Sequence, residues 1–105
     1  MPRQTDDVFP KKNWQQIGYE LMKARNKAGL SAYTVARNLG CVYNYIYRIE
    51  YDCPNLYRCA IGMRYALWMV HICYTHSAIG SDWIDENIPE LFGFVSGLIS
   101  GEGIE

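Results

Sequence analysis

The stretch "CVYNYIYRIEYD", residues 41–52, holds a dense set of side chains able to hydrogen bond or stack: Tyr43, Asn44, Tyr45, Tyr47, Arg48 and Tyr51. On a helix, with ~100° of rotation per residue, Ile46 and Ile49 form an apolar stripe, with Cys41 just before it. Tyr43, Asn44, Tyr47, Arg48 and Tyr51 then share the other side, and that face offers an amide, a guanidinium and three phenols to a partner. On a strand, Tyr43, Tyr45 and Tyr47 would take one face and leave Ile46 beside Arg48 on the other, which mixes core with charge. No second strand candidate lies nearby, and a lone strand leaves its backbone groups unpaired. The sequence therefore predicts a helix over 43–51, in spite of poor local propensity.

The other chemistry-bearing residues form no catalytic or metal-binding pattern. Cys41, Cys53, Cys59 and Cys73 sit in no CxxC pair, and in a reducing compartment they read as small apolar residues. A metal site would have to recruit His71, Cys73 and His76 with Cys53 or Cys59. His71 and Cys73 point roughly 200° apart on a helix, and the spacing matches no ligand pattern. Asp82, Asp85 and Glu86 have no histidine or nucleophile near them, and no phosphate-binding loop or triad spacing occurs. No metal, no cofactor and no catalytic residue is expected, and the chain is not expected to be an enzyme.

Charge is distributed unevenly along the 105 residues. The net charge is −1, yet residues 11–64 carry nine Lys/Arg against three acids, and residues 65–105 carry six acids and no Lys or Arg. A basic part able to meet phosphate is thus followed by an acidic part that phosphate repels. Half the residues are apolar, so the chain should fold. No apolar run reaches the ~18 residues of a membrane span, and the polar start "MPRQTDDVFPKK" lacks the hydrophobic segment of a secretory signal. A cytoplasmic protein is expected.

Periodicity and punctuation place the elements. Residues 1–12 read as a flexible arm. Asn13 and Gln16 suggest a capping box opening a helix at Trp14, with Ile17, Leu21, Ala24 and Ala28 inward and Gly29 as its stop. Ser31 can cap a second helix, with Leu30 stapled onto Val35; Val35, Ala36 and Leu39 face inward and Gly40 ends it. After the helix at 43–51, Pro54 interrupts the chain and Asn55 can cap a fourth helix to about His76, with Leu56, Cys59, Ala60, Met63, Leu67 and Val70 as its stripe. Gly80-Ser81 and Asn87-Pro89 punctuate the remainder of the chain. Asn87 with Glu90 reads as a capping box for a last helix with an apolar stripe of Leu91, Phe92, Val95, Leu98 and Ile99. The expected class is all-α.

"ARNKAGLSAYTVARNLGCVYNYIYRIE" resembles the Cro/Xre-type helix-turn-helix of bacterial and phage regulators. The matching residues are Arg25, Gly29-Leu30-Ser31, Val35-Ala36, Leu39-Gly40, Ile46, Arg48-Ile49 and Glu50, within a resemblance that spans about residues 14–70. It implies a compact, lambda-repressor-like helix-turn-helix bundle over 13–76, with 77–105 as a C-terminal helical extension. It implies a structural ion pair between Arg25 and Glu50, consistent with the need of an acid at the end of an apolar stripe for a partner. It implies base-edge contacts from Tyr43, Asn44, Tyr47 and Arg48, and backbone contacts from Lys27, Ser31, Arg37 and Tyr51. Asn suits adenine and Arg suits guanine, each through two hydrogen bonds. Tyr45, nearest the second helix, reads as packing, and Lys11 and Lys12 as a basic arm. The chain departs from the family at Ala32, where Gln is frequent, at Val42, where Ser or Thr caps, and at Asp52, where Gly leads into a longer loop.

The resemblance leads to an expected double-stranded-DNA-binding transcription regulator, a repressor acting as a homodimer on a palindromic operator. The homodimer contact is expected from Trp83, Leu91, Phe92, Phe94, Val95 and Leu98 in the acidic part, the alternative being that its aromatics complete a monomeric core; this part could also hold a second protein partner. The alternative is a helix-turn-helix-derived protein-interaction module, such as an antitoxin or a phage-encoded inhibitor.

Overall fold

The structure is a computed structural model that describes residues 14–51 and 60–100. The expected arm at 1–12, the caps at Asn13 and Asn55, the break at Pro54, and Leu56 and Cys59 lie outside the described residues. Among those described, all regular structure is helical: α1 (Trp14–Lys27), α2 (Ala32–Leu39), α3 (Tyr43–Tyr51), α4 (Ala60–Thr75), α5 (Ser81–Asn87) and α6 (Pro89–Ser100). The Tyr-rich stretch is a helix, as the two-faced pattern requires.

The first turns follow their sequence signals. Gly29 and Gly40 both take positive φ, 76° and 77°, a conformation that glycine adopts without steric cost. The Gly40 and Cys41 amides both donate to the Ala36 carbonyl, at 2.8 and 3.0 Å. This closes α2 and leaves three residues before α3. Ser31 caps α2, its Oγ accepting from the Thr34 amide at 3.1 Å.

One apolar cluster unites α1 to α6. Ile17, Leu21 and Ala24 of α1 meet Val35, Ala36 and Leu39 of α2 and Ile46 and Ile49 of α3. The same cluster continues through Tyr65, Met69 and Cys73 of α4 to Ile84, Ile88, Leu91, Phe94 and Val95. The C-terminal helices therefore complete the core that α1 to α4 begin. α6 lies against α1 and α4, with Trp14 edge-on to Phe94 at 5.5 Å between ring centroids.

Two helices are rotated from the expected phase. The buried residues of α4 are Gly62, Tyr65, Ala66, Met69, Val70 and Cys73, whereas Ala60 and Leu67 of the expected stripe are exposed and Met63 is half-buried. The rotation puts the Tyr65 hydroxyl against the Glu50 carboxylate, and Gly62 and Ala66 keep the inner face narrow. In α6, Leu91, Phe94 and Val95 are buried, while Ile99 is 75% exposed.

The join between α1 and α6 has no short-range signal in the sequence. Asn87 does not open α6. It is the last residue of α5 and donates to the Trp83 carbonyl at 3.0 Å. The carboxylate of Glu20, buried on α1, reaches the start of α6 in its place. Its Oε1 accepts from the Leu91 amide at 2.8 Å, and its Oε2 accepts from Gln16 Nε2 at 2.8 Å. A carboxylate there satisfies an amide with no partner inside its helix and meets the positive end of the dipole.

Candidate nucleic-acid interface

α3 presents the polar face that its spacing predicts. Ile46, Ile49 and Glu50 are buried, and Tyr43, Asn44, Tyr47, Arg48 and Tyr51 are exposed. Tyr45 is half-buried against the core. The three exposed tyrosines, four residues apart, form a ladder. Tyr43 and Tyr47 meet edge to face at 6.2 Å, and Tyr47 and Tyr51 stack at 6.3 Å with 19° between planes. Asn44 and Arg48 lie one turn apart, without a hydrogen-bond or ion-pair partner among the described residues.

A buried network braces the other side of the same helix. Arg25 Nε donates to Glu50 Oε2 at 2.6 Å and Nη2 to Oε1 at 3.0 Å, a two-pronged pairing. Arg25 Nη1 donates to the Leu30 carbonyl at 3.1 Å, and the Tyr65 hydroxyl donates to Glu50 Oε2. One carboxylate thereby ties α1, the turn before α2, and α4 to the end of α3. The pairing also relieves an unfavourable position, because an acid in the last turn faces the negative end of the helix dipole. Donating to the Glu50 carboxylate holds the Arg25 guanidinium above its ordinary range, against the opposing effect of burial. The guanidinium also lies 5.9 Å from the centre of the Tyr47 ring, so the brace touches the exposed ladder.

The network has a pH signature. Burial, and next the charge of Glu50, push the Tyr65 phenol far above the ordinary tyrosine range. Burial pushes the Cys73 thiol up to about 11. Both groups stay protonated in the fold at pH values where the unfolded chain ionises them, ~8.5 for Cys and ~10 for Tyr. Their stability contributions are therefore complete below those unfolded values and are lost as pH rises toward the folded ones. Urea melts between pH 7 and 11 should show stability falling from about pH 9, by up to ~1.4 kcal/mol per pH unit and group. Cys73→Ala should remove the earlier part of the decline and Tyr65→Phe the later part.

The expected backbone contacts divide. Ser31 and Thr34 are exposed at the start of α2, and their hydroxyls bond each other at 3.0 Å. Arg37 is exposed, with its guanidinium 5.9 Å from the Tyr33 ring, and Tyr51 ends the ladder. Lys27 is exposed too; two residues beyond Arg25, it points roughly 200° around α1, and its ammonium sits 5.7 Å from the Trp83 ring of α5.

The expected dimer set divides between core and surface. Leu91, Phe94 and Val95 are in the core of this single chain and cannot reach a partner while α6 is docked. Trp83, Phe92 and Leu98 are half-buried. What α6 and α4 leave outside is Phe92 beside exposed Tyr74, at 6.1 Å between rings, together with Ile99. Among the described residues no three His, Cys, Asp or Glu side chains gather as metal ligands, and no helix is long and apolar enough to cross a membrane.

Compared with protein-family models, with curated proteins and with solved structures, the chain finds no match.

Proposed function

We propose that the chain is a sequence-specific, double-stranded-DNA-binding regulator of the Cro/Xre helix-turn-helix type, a repressor acting as a homodimer, with α3 as the helix that enters the major groove. The observation that carries this reading is the pairing of two faces on one short helix. Outside, Asn44 and Arg48 lie one turn apart between tyrosines, without a partner among the described residues. Inside, Arg25, Glu50 and Tyr65 fix the helix to three neighbours. A reading helix needs both, because base-edge hydrogen bonds discriminate only when their donors are held in place. Exposed Arg37 and the start of α2 flank that face and would hold phosphates. The acidic surface of α5 and the start of α6 would lie away from the duplex. One such domain reads few base pairs, so two copies on half-sites about a turn apart supply specificity. The surface left for that pairing is the uncharged one around Tyr74, Phe92, Leu98 and Ile99.

Selection from a randomised duplex library tests this. The wild type should recover a palindromic motif, and Arg48→Ala should bind it about 5- to 150-fold more weakly, the ~1–3 kcal/mol of one bidentate base contact. Affinity should fall by orders of magnitude between ~50 and ~200 mM salt. No enrichment at low salt would exclude the DNA reading.

The tyrosine ladder also favours a second reading, a protein-interaction module, since exposed Tyr and Arg are frequent anchors of protein interfaces. Binding through such a surface would respond little to salt.

A further inference from the structure

We infer that the groove between α2 and α4 is a docking site for an acidic amphipathic helix of a partner protein. The groove is shallow and open, with a volume of about 420 Å³, and its lining includes Asn38, Leu39, Arg64, Leu67, Trp68 and His71. The four α4 residues fall at i, i+3, i+4 and i+7, so they share one face over two turns, a span of about 10 Å. Leu67 is 39% exposed and Trp68 half-buried, which makes an apolar floor. Arg64 stands at one end and His71 at the other. The Arg64 guanidinium reaches the Leu39 carbonyl at 3.4 Å, which holds it at the rim.

Among the described residues no acid lines this groove, and none lines the adjoining one formed by Tyr33, Thr34, Arg37 and Asn38. The one ion pair among the described residues is Arg25–Glu50, so Arg64 has no carboxylate partner there. A rim of hydrogen-bond donors around an apolar floor is complementary to a helix with apolar residues between carboxylates two turns apart, the helix-in-groove mode. Arginine and imidazole both donate to carboxylates. A phosphate backbone would supply the charge and leave Leu67 and Trp68 without an apolar counterpart, which favours a peptide over DNA here.

The test is a selection of displayed helical peptides, randomised on one face, against the full chain. A synthetic version of the enriched sequence then gives affinities and amide shifts. The expected result is enrichment of sequences with Asp or Glu about seven positions apart, bracketing Leu, Phe or Met. The Kd should rise at least tenfold in both Arg64→Glu and Leu67→Ser, with shifts centred on Asn38, Leu39, Leu67, Trp68 and His71. Leu67→Ser, a surface change, decides the matter if Arg64→Glu alters the fold. The proposal is overturned if nothing is enriched, if both variants bind normally, or if a Lys-for-Glu twin binds equally well. Concentration-dependent shifts of these residues in the chain alone would assign the groove to a second copy, and shifts caused by duplex DNA would assign it to phosphate. Either result also overturns it.

Discussion

Glu50→Ala should lower the unfolding free energy by about 3–5 kcal/mol, the usual result of breaking a buried, hydrogen-bonded ion pair from one side. The substitution leaves the Arg25 guanidinium buried with the Leu30 carbonyl as its one remaining hydrogen-bond acceptor, and it orphans the Tyr65 hydroxyl. A chain of this size has about 5–15 kcal/mol in all, so the variant should be marginal or unfolded at 37 °C. At roughly 4–8 °C per kcal/mol, its melting temperature should fall by more than about 12 °C. The loss measures the uncompensated partners and not the net worth of the pair. Replacing the whole network by apolar groups, Arg25→Met with Glu50→Leu and Tyr65→Phe, should therefore recover much of the stability. Thermal melts of the single and triple variants separate the two quantities. A Glu50→Ala protein within about 1 kcal/mol of wild type would mean that the network is not closed in solution. The triple variant also separates stability from function, because it keeps the outer face of α3 while removing the polar brace behind it. Folded, yet weak on the selected duplex, it would show that the brace serves orientation.

The parts of this architecture carried by short-range signals are legible in the sequence. Gly29, Ser31 and Gly40 act within one turn of themselves, and the two-sided pattern of 43–51 admits one helical phase. The Arg25–Glu50 pair is reached through the family resemblance, and the geometry agrees with it. Elements settled by distant partners are not legible. The phase of α4 depends on Tyr65 finding Glu50, fifteen residues earlier, and Leu67 is as apolar a candidate for the inside as any. The phase of α6 depends on Trp14 receiving Phe94. Glu20 resembles any solvated surface acid, because its partner, the Leu91 amide, is 71 residues away. The seven-residue α5 has no side-chain cap and too few turns to show a period. The dimer set mixes core and surface residues for a related reason. An apolar helix whose one charge is Glu90 can cover its own core or a partner's, and periodicity does not distinguish the two.

Gly18→Ala should destabilise the fold by about 2 kcal/mol, although a glycine-to-alanine change inside a helix ordinarily gains up to ~1 kcal/mol. A Cβ at Gly18 would stand against the carbonyl oxygens of Glu50 and Ile49, the latter at 2.9 Å. These are backbone atoms at the end of α3 and cannot rotate aside as a side chain can, so α1 and α3 must separate, at the typical 1–3 kcal/mol of overpacking or more. Gly93 and Gly97 are the controls. They too lie inside a helix, yet nothing lies within 4 Å of a Cβ built at either. Alanine at those positions should stabilise the monomer by roughly 0.5–1 kcal/mol. Urea denaturation of the three variants checks the reversal of sign, and a Gly18→Ala protein as stable as wild type would refute the close seating of α1 on α3. The same variants bear on function. Moving the end of α3 displaces Arg48 and Tyr51, so Gly18→Ala should weaken binding to the selected duplex by more than its folded fraction accounts for. Gly93→Ala and Gly97→Ala leave α3 untouched. Any loss of DNA affinity in them would have to come through the outer face of α6, which is where the proposed homodimer contact lies.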